Sequence, residues 1–233
     1  MISKAVKYDR GSPTIVIRCT SKRVDRAVLR RGVEAIQKQV DRDFFPLWGW
    51  RARLLLEPKR APADAMQITI REREHGNSDH GYHFIDGLPH TRVFVRNADG
   101  DPVDYFPTLS HEVLEMIADP GVNLFAEGYF KYRGRRVKGY VAYEVCDPVQ
   151  ENLYAIDGVK VSDFVTPEWF EPERQPGSLK FSFKDAVDRP FRAAPQGYFD
   201  AIYRGRMRTI WGEEANTKKV RHRKKARLER HKG

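Results

Sequence analysis

The residues best suited to chemistry form one short run, Ser110-His111-Glu112-Val113-Leu114-Glu115, which has the pattern HExxE. In an α-helix, the side chains of His111 and Glu115 would lie about 40° apart around the axis. Glu112 and Asp119 would lie about 100° and 80° from His111, so one polar arc would carry an imidazole and three carboxylates. The opposite arc would be hydrophobic, because it carries Phe106, Leu109, Val113, Met116 and Ile117.

This spacing suits a divalent metal. Two ligands one helical turn apart can hold the ion, and an acid between them can take a proton from water. The pattern therefore predicts His111 and Glu115 as metal ligands and Glu112 as the general base. A carboxylate stands where HExxH motifs have a second imidazole, so zinc is expected, with manganese or calcium as alternatives. The competing interpretation is an ordinary solvated helix face.

A third ligand is expected after the helix, which Asp119-Pro120-Gly121 should end. Glu144 is the first candidate, because it lies in the hydrophobic run from Tyr140 to Pro148, where an isolated carboxylate is costly to bury. Asp147 is the second, as a ligand or as an acid that orients His111. A solvent-facing strand position for Glu144 and a turn position for Asp147 are the alternatives.

A group of histidines precedes the helix: His75, His80, His83 and His90. Their spacing matches no standard ligand pattern, and the flanking glycines and acids favour a loop. His83 is the exception, because an imidazole on an edge strand beside the metal could contact substrate or polarise a carbonyl as a catalytic residue. A surface histidine is the alternative.

The surrounding sequence predicts the elements that position these residues. The continuous β-branched run Ile15-Val16-Ile17 indicates a strand buried on both faces. Apolar spacing from Lys22 to Arg42 predicts a long helix with Ser21 as its N-cap, and Asp104 is the expected N-cap of the HExxE helix. Alternating or extended segments predict further strands at 50–56, 66–71, 82–84 and 91–96. The expected order is strand, helix, strand, strand, edge strand, helix.

That order over residues 12 to 120, together with HExxE, resembles the N-terminal half of zincin-like metallopeptidases. Three segments are also similar to uncharacterised zincin-like proteins of bacteria and phages: Ser110 to Pro120, Tyr143 to Pro148 and Val161 to Phe170. The resemblance implies an α+β fold with a twisted mixed sheet, an edge strand lining a cleft for a peptide or protein substrate, and one bound metal. Glu115 departs from the second histidine of the zincin motif.

The rest of the chain is expected to be a β-rich extension. A hairpin is predicted around Asp157-Gly158, a connecting loop over 166–178 with Trp169 and Phe170 docked on the body, and short strands at 179–183, 198–203 and 207–211. The predicted organisation is a metal-binding domain at 1–165, an extension at 166–216 and a tail at 217–233.

Composition narrows the possible classes of protein. The 233 residues are 40% hydrophobic and 12% aromatic, which argues against general disorder. No signal peptide or membrane-spanning run is found, so a cytoplasmic or virion-associated protein is expected, without membrane contact. Cys19 and Cys146 are expected to be buried free thiols, with Cys146 as a soft metal ligand the lesser alternative.

The tail concentrates the positive charge. Residues 217–233 carry nine Lys or Arg and one Glu, a balance of +8 within a net charge of +10. The segment Lys218 to Lys232 is therefore expected to be disordered and to bind nucleic acid or an acidic protein partner. A passive, solubilising tail is the alternative.

Two functions follow from these features. The first is a metal-dependent hydrolase, a zincin-like metallopeptidase that activates water at its metal. The second is a non-enzymatic assembly or virion-associated protein that keeps the zincin-like scaffold and contacts nucleic acid through its tail.

Overall fold

A computed structural model describes residues 12–73, 81–97, 99–171 and 180–212, with the backbone alone for 82–86. His75, His80, the side chain of His83 and the tail from 217 to 233 lie outside this description, and the predictions made for them stay predictions.

The first sheet has five strands in the order β2-β1-β3-β5-β4. Its members are β1 (Thr14–Cys19), β2 (Arg53–Leu56), β3 (Met66–Arg71), β4 (Gly81–Asp86) and β5 (Leu88–Phe94). The pairings of β1 with β2 and β3, and of β3 with β5, are parallel, whereas β4 pairs antiparallel with β5 at the edge. Ile15, Val16 and Ile17 are fully buried, which confirms that β1 is covered on both faces.

The first helix begins later than predicted. Helix α1 spans Arg26–Lys38, and its N-cap is Asp25, whose carboxylate accepts from the backbone N–H groups of Ala27 and Val28. Ser21 is not the cap. Its hydroxyl donates to the Glu72 carboxylate, and this hydrogen bond joins the segment that follows β1 to the segment that follows β3. The helix continues as a π-helical segment, Gln39–Phe44, and then as α2 (Phe45–Trp48).

Helix α3 (Phe106–Ala118) carries HExxE and ends at Asp119, as expected. Its N-cap is Tyr105, not Asp104, although the Asp104 carboxylate accepts from the backbone N–H of Phe106 at 3.4 Å. The competing interpretation, an ordinary solvated helix face, is wrong, because every residue from Leu109 to Ala118 is buried. Later parts of the chain cover this helix, and strand β9 (Val159–Ser162) packs against it.

The second sheet is antiparallel, with the order β11-β10-β7-β6. Its strands are β6 (Phe125–Tyr132), β7 (Arg135–Ala142), β10 (Tyr198–Tyr203) and β11 (Arg206–Trp211). The sequence predicted β10 and β11 but not the β6–β7 hairpin. Because β10 pairs with β7, this sheet takes strands from either side of the predicted boundary at residue 165.

In chain order, the predicted hairpin comes between β7 and β10. It is formed by β8 (Leu153–Ile156) and β9 around Asp157-Gly158, and it is separate from this sheet. The predicted strand at 179–183 is wrong: within its described part, 180–183, only a single bridge between Val165 and Ser182 forms. Trp169 and Phe170 are buried as expected, in the 3-10 turn Pro167–Phe170. The described residues therefore form an α+β protein with one mixed five-stranded sheet, one antiparallel four-stranded sheet and the separate β8–β9 hairpin.

Candidate metal centre

The HExxE side chains meet a second segment of the chain at the middle of α3. His111 Nε2 lies 3.0 Å from Glu115 Oε2 and 3.4 Å from Asp147 Oδ1. The side chains of Glu115 and Asp147 are 4% and 3% exposed, and that of His111 is 11% exposed. Asp147 thus lies beside the His111 imidazole, and its role as a ligand or an orienting acid stays a prediction. His111 is the most exposed of the three residues.

Cys146 completes the group. Ligand atoms of His111, Glu115 and Cys146 all lie within 4.8 Å of one another. The backbone N–H of Cys146 donates to Glu115 Oε1 at 3.2 Å, so one Glu115 oxygen fixes the Cys146 backbone and the other faces His111. Both Cys19 and Cys146 are buried free thiols, as expected.

The segment that carries Cys146 and Asp147 is held from both sides. The backbone N–H of Val165 donates to Val145 O at 2.7 Å, and that of Ala194 donates to Pro148 O at 2.8 Å. Gly197 lies so close to this segment that an added Cβ would be 2.2 Å from Pro148 O. The residues that follow β9 therefore fix the backbone of the candidate ligands, which makes the site rigid.

Helix α3 is fixed against the same region through Ser110. Its hydroxyl oxygen accepts from the backbone N–H of Ser162 at 2.7 Å. The carbonyl of Ser162 accepts from Gln39 Nε2 at 2.8 Å, so the π-helical segment, β9 and α3 share one buried network. A π-helical turn is common near functional sites because it redirects side chains.

Two distances between candidate ligand atoms are compatible with a metal site. Ligands about 2.0 to 2.1 Å from a tetrahedral zinc ion would be roughly 3.3 Å from one another. The two distances from His111 Nε2, 3.0 and 3.4 Å, bracket that value. The same atoms also satisfy one another without a metal, as a protonated imidazole between two carboxylates.

The electrostatics favour a cation at this point. Burial alone would lower the pKa of His111, but the carboxylates of Glu115 and Asp147 outweigh it and raise the pKa well above its usual value. Burial, reinforced by the Glu115 charge, raises the pKa of the Cys146 thiol well above its usual value. A thiol here becomes a thiolate ligand only if a cation compensates its charge.

Glu112 lies on the side of α3 that faces the edge strand. A Cβ at Gly81, the first residue of β4, would lie 3.0 Å from Glu112 Oε1 and 2.8 Å from Thr108 Cγ2. The edge strand therefore passes directly beside the predicted general base. His83 lies two residues further along β4, and its catalytic role stays a prediction because its side chain is not described.

The remaining predicted residues divide into two kinds. Glu144 is half-buried and lies outside the His111, Glu115 and Cys146 group, so its role as a ligand stays a prediction. Asp119 shapes the turn after α3, where its Oδ2 accepts from the backbone N–H of Leu124 at 2.8 Å. Sequence reasoning ranked Cys146 too low; its soft sulfur beside Asp147 was the available signal.

No protein-family model, curated protein or solved structure matches the chain. Among the described residues, no helix is long and apolar enough to span a membrane.

Proposed function

We propose that the protein is a metal-dependent hydrolase with a zincin-like fold, and that peptide bonds are its substrate. One observation carries this proposal: an imidazole, a carboxylate and a thiol from α3 and the segment after β7 lie within 4.8 Å of one another in the protein interior, and Asp147 lies beside the imidazole. Buried ionisable groups of this number are stable when a cation compensates them.

The donor set favours zinc. Imidazole nitrogen and thiolate sulfur are typical zinc ligands, whereas manganese and calcium prefer oxygen. His111, Glu115 and Cys146 would supply three ligands. If Asp147 only orients the imidazole, the fourth position stays open to water and the site is catalytic. If Asp147 is itself the fourth ligand, the site is closed and structural.

Each residue has a defined task in this proposal. The zinc ion would supply a Lewis acid and make water a nucleophile near neutral pH. Glu112 would accept the proton of the attacking water and pass it to the leaving amine. Gly81 and the rest of the edge strand β4 would line the substrate side. The antiparallel pairing of β4 with β5 at the sheet edge, and the closeness of Gly81 to Glu112, support the zincin-like interpretation.

The test separates ligand from base. His111→Ala should lose the metal, whereas Glu112→Gln should keep it, keep the fold, and lower hydrolysis of a casein or peptide-library substrate by about 10² to 10⁴. Metal content is measured by elemental analysis after dialysis. Glu127→Gln is the matched control, because Glu127 is an exposed acid of β6 bound to Lys138. Equal metal loss in the Glu112 and His111 variants would contradict these roles.

A non-enzymatic function is the second candidate, and burial favours it. Glu115, Cys146 and Asp147 are all nearly inaccessible, and four protein ligands would give a structural site. Cobalt substitution distinguishes the two: an open site changes its absorption spectrum when a small anion is added, and a saturated site does not. In a non-enzymatic assembly protein, the basic segment Lys218 to Lys232 would contact nucleic acid or an acidic partner.

A further inference from the structure

The tetrapeptide Tyr-Arg-Gly-Arg occurs twice, at 132–135 and at 203–206. The first copy is the turn between β6 and β7, and the second is the turn between β10 and β11. Both belong to the second sheet. We call them the twin arginine turns.

The two turns lie at the same end of that sheet. Strands β6 and β10 are both antiparallel to β7, so they run in the same direction and end on the same side. The rings of Tyr132 and Tyr203 meet edge to face at 5.7 Å between centroids. Arg133 lies over the Tyr132 ring at 5.4 Å and Arg204 over the Tyr203 ring at 5.3 Å. The repeated sequence therefore forms a repeated local structure.

Arginine is an unusual choice at these positions. Arg133 and Arg204 have φ values of 49° and 52°, and each is followed by a glycine with positive φ. Asparagine or aspartate before glycine is the usual solution for such a turn, and bulkier residues are strained there. The chain uses the usual solution elsewhere, because Asp157-Gly158 has the same conformation, with φ values of 49° and 79°. The backbone therefore does not require arginine at 133 or 204.

The surroundings concentrate cations and aromatic rings. Arg135 and Arg206 flank the two glycines, and all four arginines of the turns are exposed. On the adjoining outer face, Arg136 lies 4.4 Å from the centroid of Tyr129. Tyr129 and Tyr140 are 45% and 50% exposed, which is unusual for rings in a sheet with one buried face.

The acids of the two paired strands β6 and β7 do not balance this charge. The one acid in their sequence, Glu127, is bound by Lys138 at 3.0 Å. Lys131 adds to the positive charge of the same face, whereas Glu127 offsets the charge of Lys138. A ligand that suits this surface carries closely spaced negative charges and flat rings.

We propose that the twin arginine turns bind the phosphates of single-stranded nucleic acid, whose bases stack on Tyr129 and Tyr140. Guanidinium groups match phosphates in charge and geometry, and exposed rings accept any unpaired base. A duplex would offer the phosphates but not the faces of its bases. This inference is independent of the proposed hydrolase, because the surface shares no residue with the His111 cluster.

The test uses Arg133→Asn and Arg204→Asn together in the full chain. Asparagine before glycine suits both turns, so the variant should fold at least as well as the parent. A fluorescent single-stranded oligonucleotide is titrated by anisotropy at several salt concentrations. Loss of two phosphate contacts should weaken binding about 25-fold at 0.1 M salt and lower the log-log salt slope by about 1.4.

The matched control is Lys59→Asn with Arg60→Asn, which removes the same charge from the exposed loop between β2 and β3. A second variant, Tyr140→Thr, should weaken single-stranded binding about fivefold or more and leave duplex binding unchanged. The proposal is overturned if the parent and the arginine variant bind alike across salt, or if the control loses as much affinity. Absence of oligonucleotide binding by the parent would also overturn it and leave the surface to an acidic protein.

Discussion

The centre of α3 and the twin arginine turns concentrate charge in opposite ways. Around His111 the ionisable groups are buried, and hydrogen bonds such as that from Cys146 to Glu115 fix them. At the turns the charges are exposed and repeated. A buried cluster depends on its packing, so its variants should change stability and metal binding together. An exposed cluster depends on its ligand, so its variants should change binding alone.

The largest difference is expected for aromatic residues. Trp169 is fully buried in the core, and its neighbour Phe170 stacks on Tyr143 at 4.0 Å. Trp169→Ala should lower the free energy of unfolding by about 4 kcal/mol, because it leaves a large cavity. Tyr140→Ala on the exposed face should change it by less than about 1 kcal/mol. Urea unfolding measures both values, and equal losses would remove the contrast between the two regions.

A pH effect should follow from Asp163, a fully buried acid next to Ser162. Burial raises its pKa from 3.8 to about 6. The folded state then holds the proton more tightly than the unfolded state, so the stabilisation is complete below about pH 4 and is lost as pH rises through 6. The loss is on the order of 3 kcal/mol, at about 1.4 kcal/mol for each pKa unit.

Asp163→Asn should remove this pH dependence. Thermal unfolding of parent and variant between pH 4 and pH 7 gives the comparison. Asp185→Asn is the control, because Asp185 is an exposed acid bound to Lys180. A parent whose stability rises from pH 4 to pH 6 relative to the Asn variant would contradict the assigned direction.

A smaller effect tests the fixed backbone of the candidate ligands. In Gly197→Ala the new methyl group would meet Pro148 O at 2.2 Å, so the segment with Cys146 and Asp147 must shift. We expect a loss of about 1 to 3 kcal/mol in stability and weaker zinc binding by calorimetry. In Gly121→Ala the nearest atom belongs to the Asn123 side chain, at 2.9 Å, which can move aside. Unchanged zinc affinity in Gly197→Ala would show that these contacts do not hold the site.

The smallest stability effect is expected for the tail. Deletion of 217–233 removes almost no apolar residues, so stability should stay within about 1 kcal/mol. Nucleic-acid affinity should fall steeply. The truncated chain should keep a weaker, salt-dependent affinity, and the substitutions Arg133→Asn and Arg204→Asn should remove that remainder. Anisotropy titrations of the truncated chain measure that remainder. Unchanged affinity after the deletion would exclude the tail as a nucleic-acid contact.

Much of the first sheet could be predicted from sequence. Alternation of polar and apolar residues indicates a strand with one buried face, and a continuous β-branched run indicates a strand buried on both faces. The β6–β7 hairpin was missed although its turn has the same Arg-Gly sequence as the predicted β10–β11 turn. Each of its strands contains a glycine, Gly128 or Gly139, and glycine inside a strand weakens the sequence pattern of a strand. The predicted strand at 179–183 alternates correctly, but Ser182 has only a single bridge to Val165, and alternation cannot reveal a missing partner.

The candidate site was predictable in part. Helical spacing placed His111 and Glu115 together, and the hydrophobic run to Pro148 indicated where further ligands would be found. The choice among Glu144, Cys146 and Asp147 depends on a bend at Val145 and Cys146, where β7 has ended and the 3-10 turn Asp147–Val149 follows. That bend is set by contacts with residues 165, 194 and 197, which local sequence does not contain.

The pairing of β10 with β7 has a consequence for the order of assembly. It joins residues about 60 positions apart, since Ile202 pairs with Tyr140, and such distant contacts form late in folding. During synthesis the HExxE helix leaves the ribosome long before Gly197 and Ala194 can press on the Pro148 backbone. We therefore expect the nascent chain to acquire the proposed metal only after β10 has been translated, and chains arrested before β10 to be released without it.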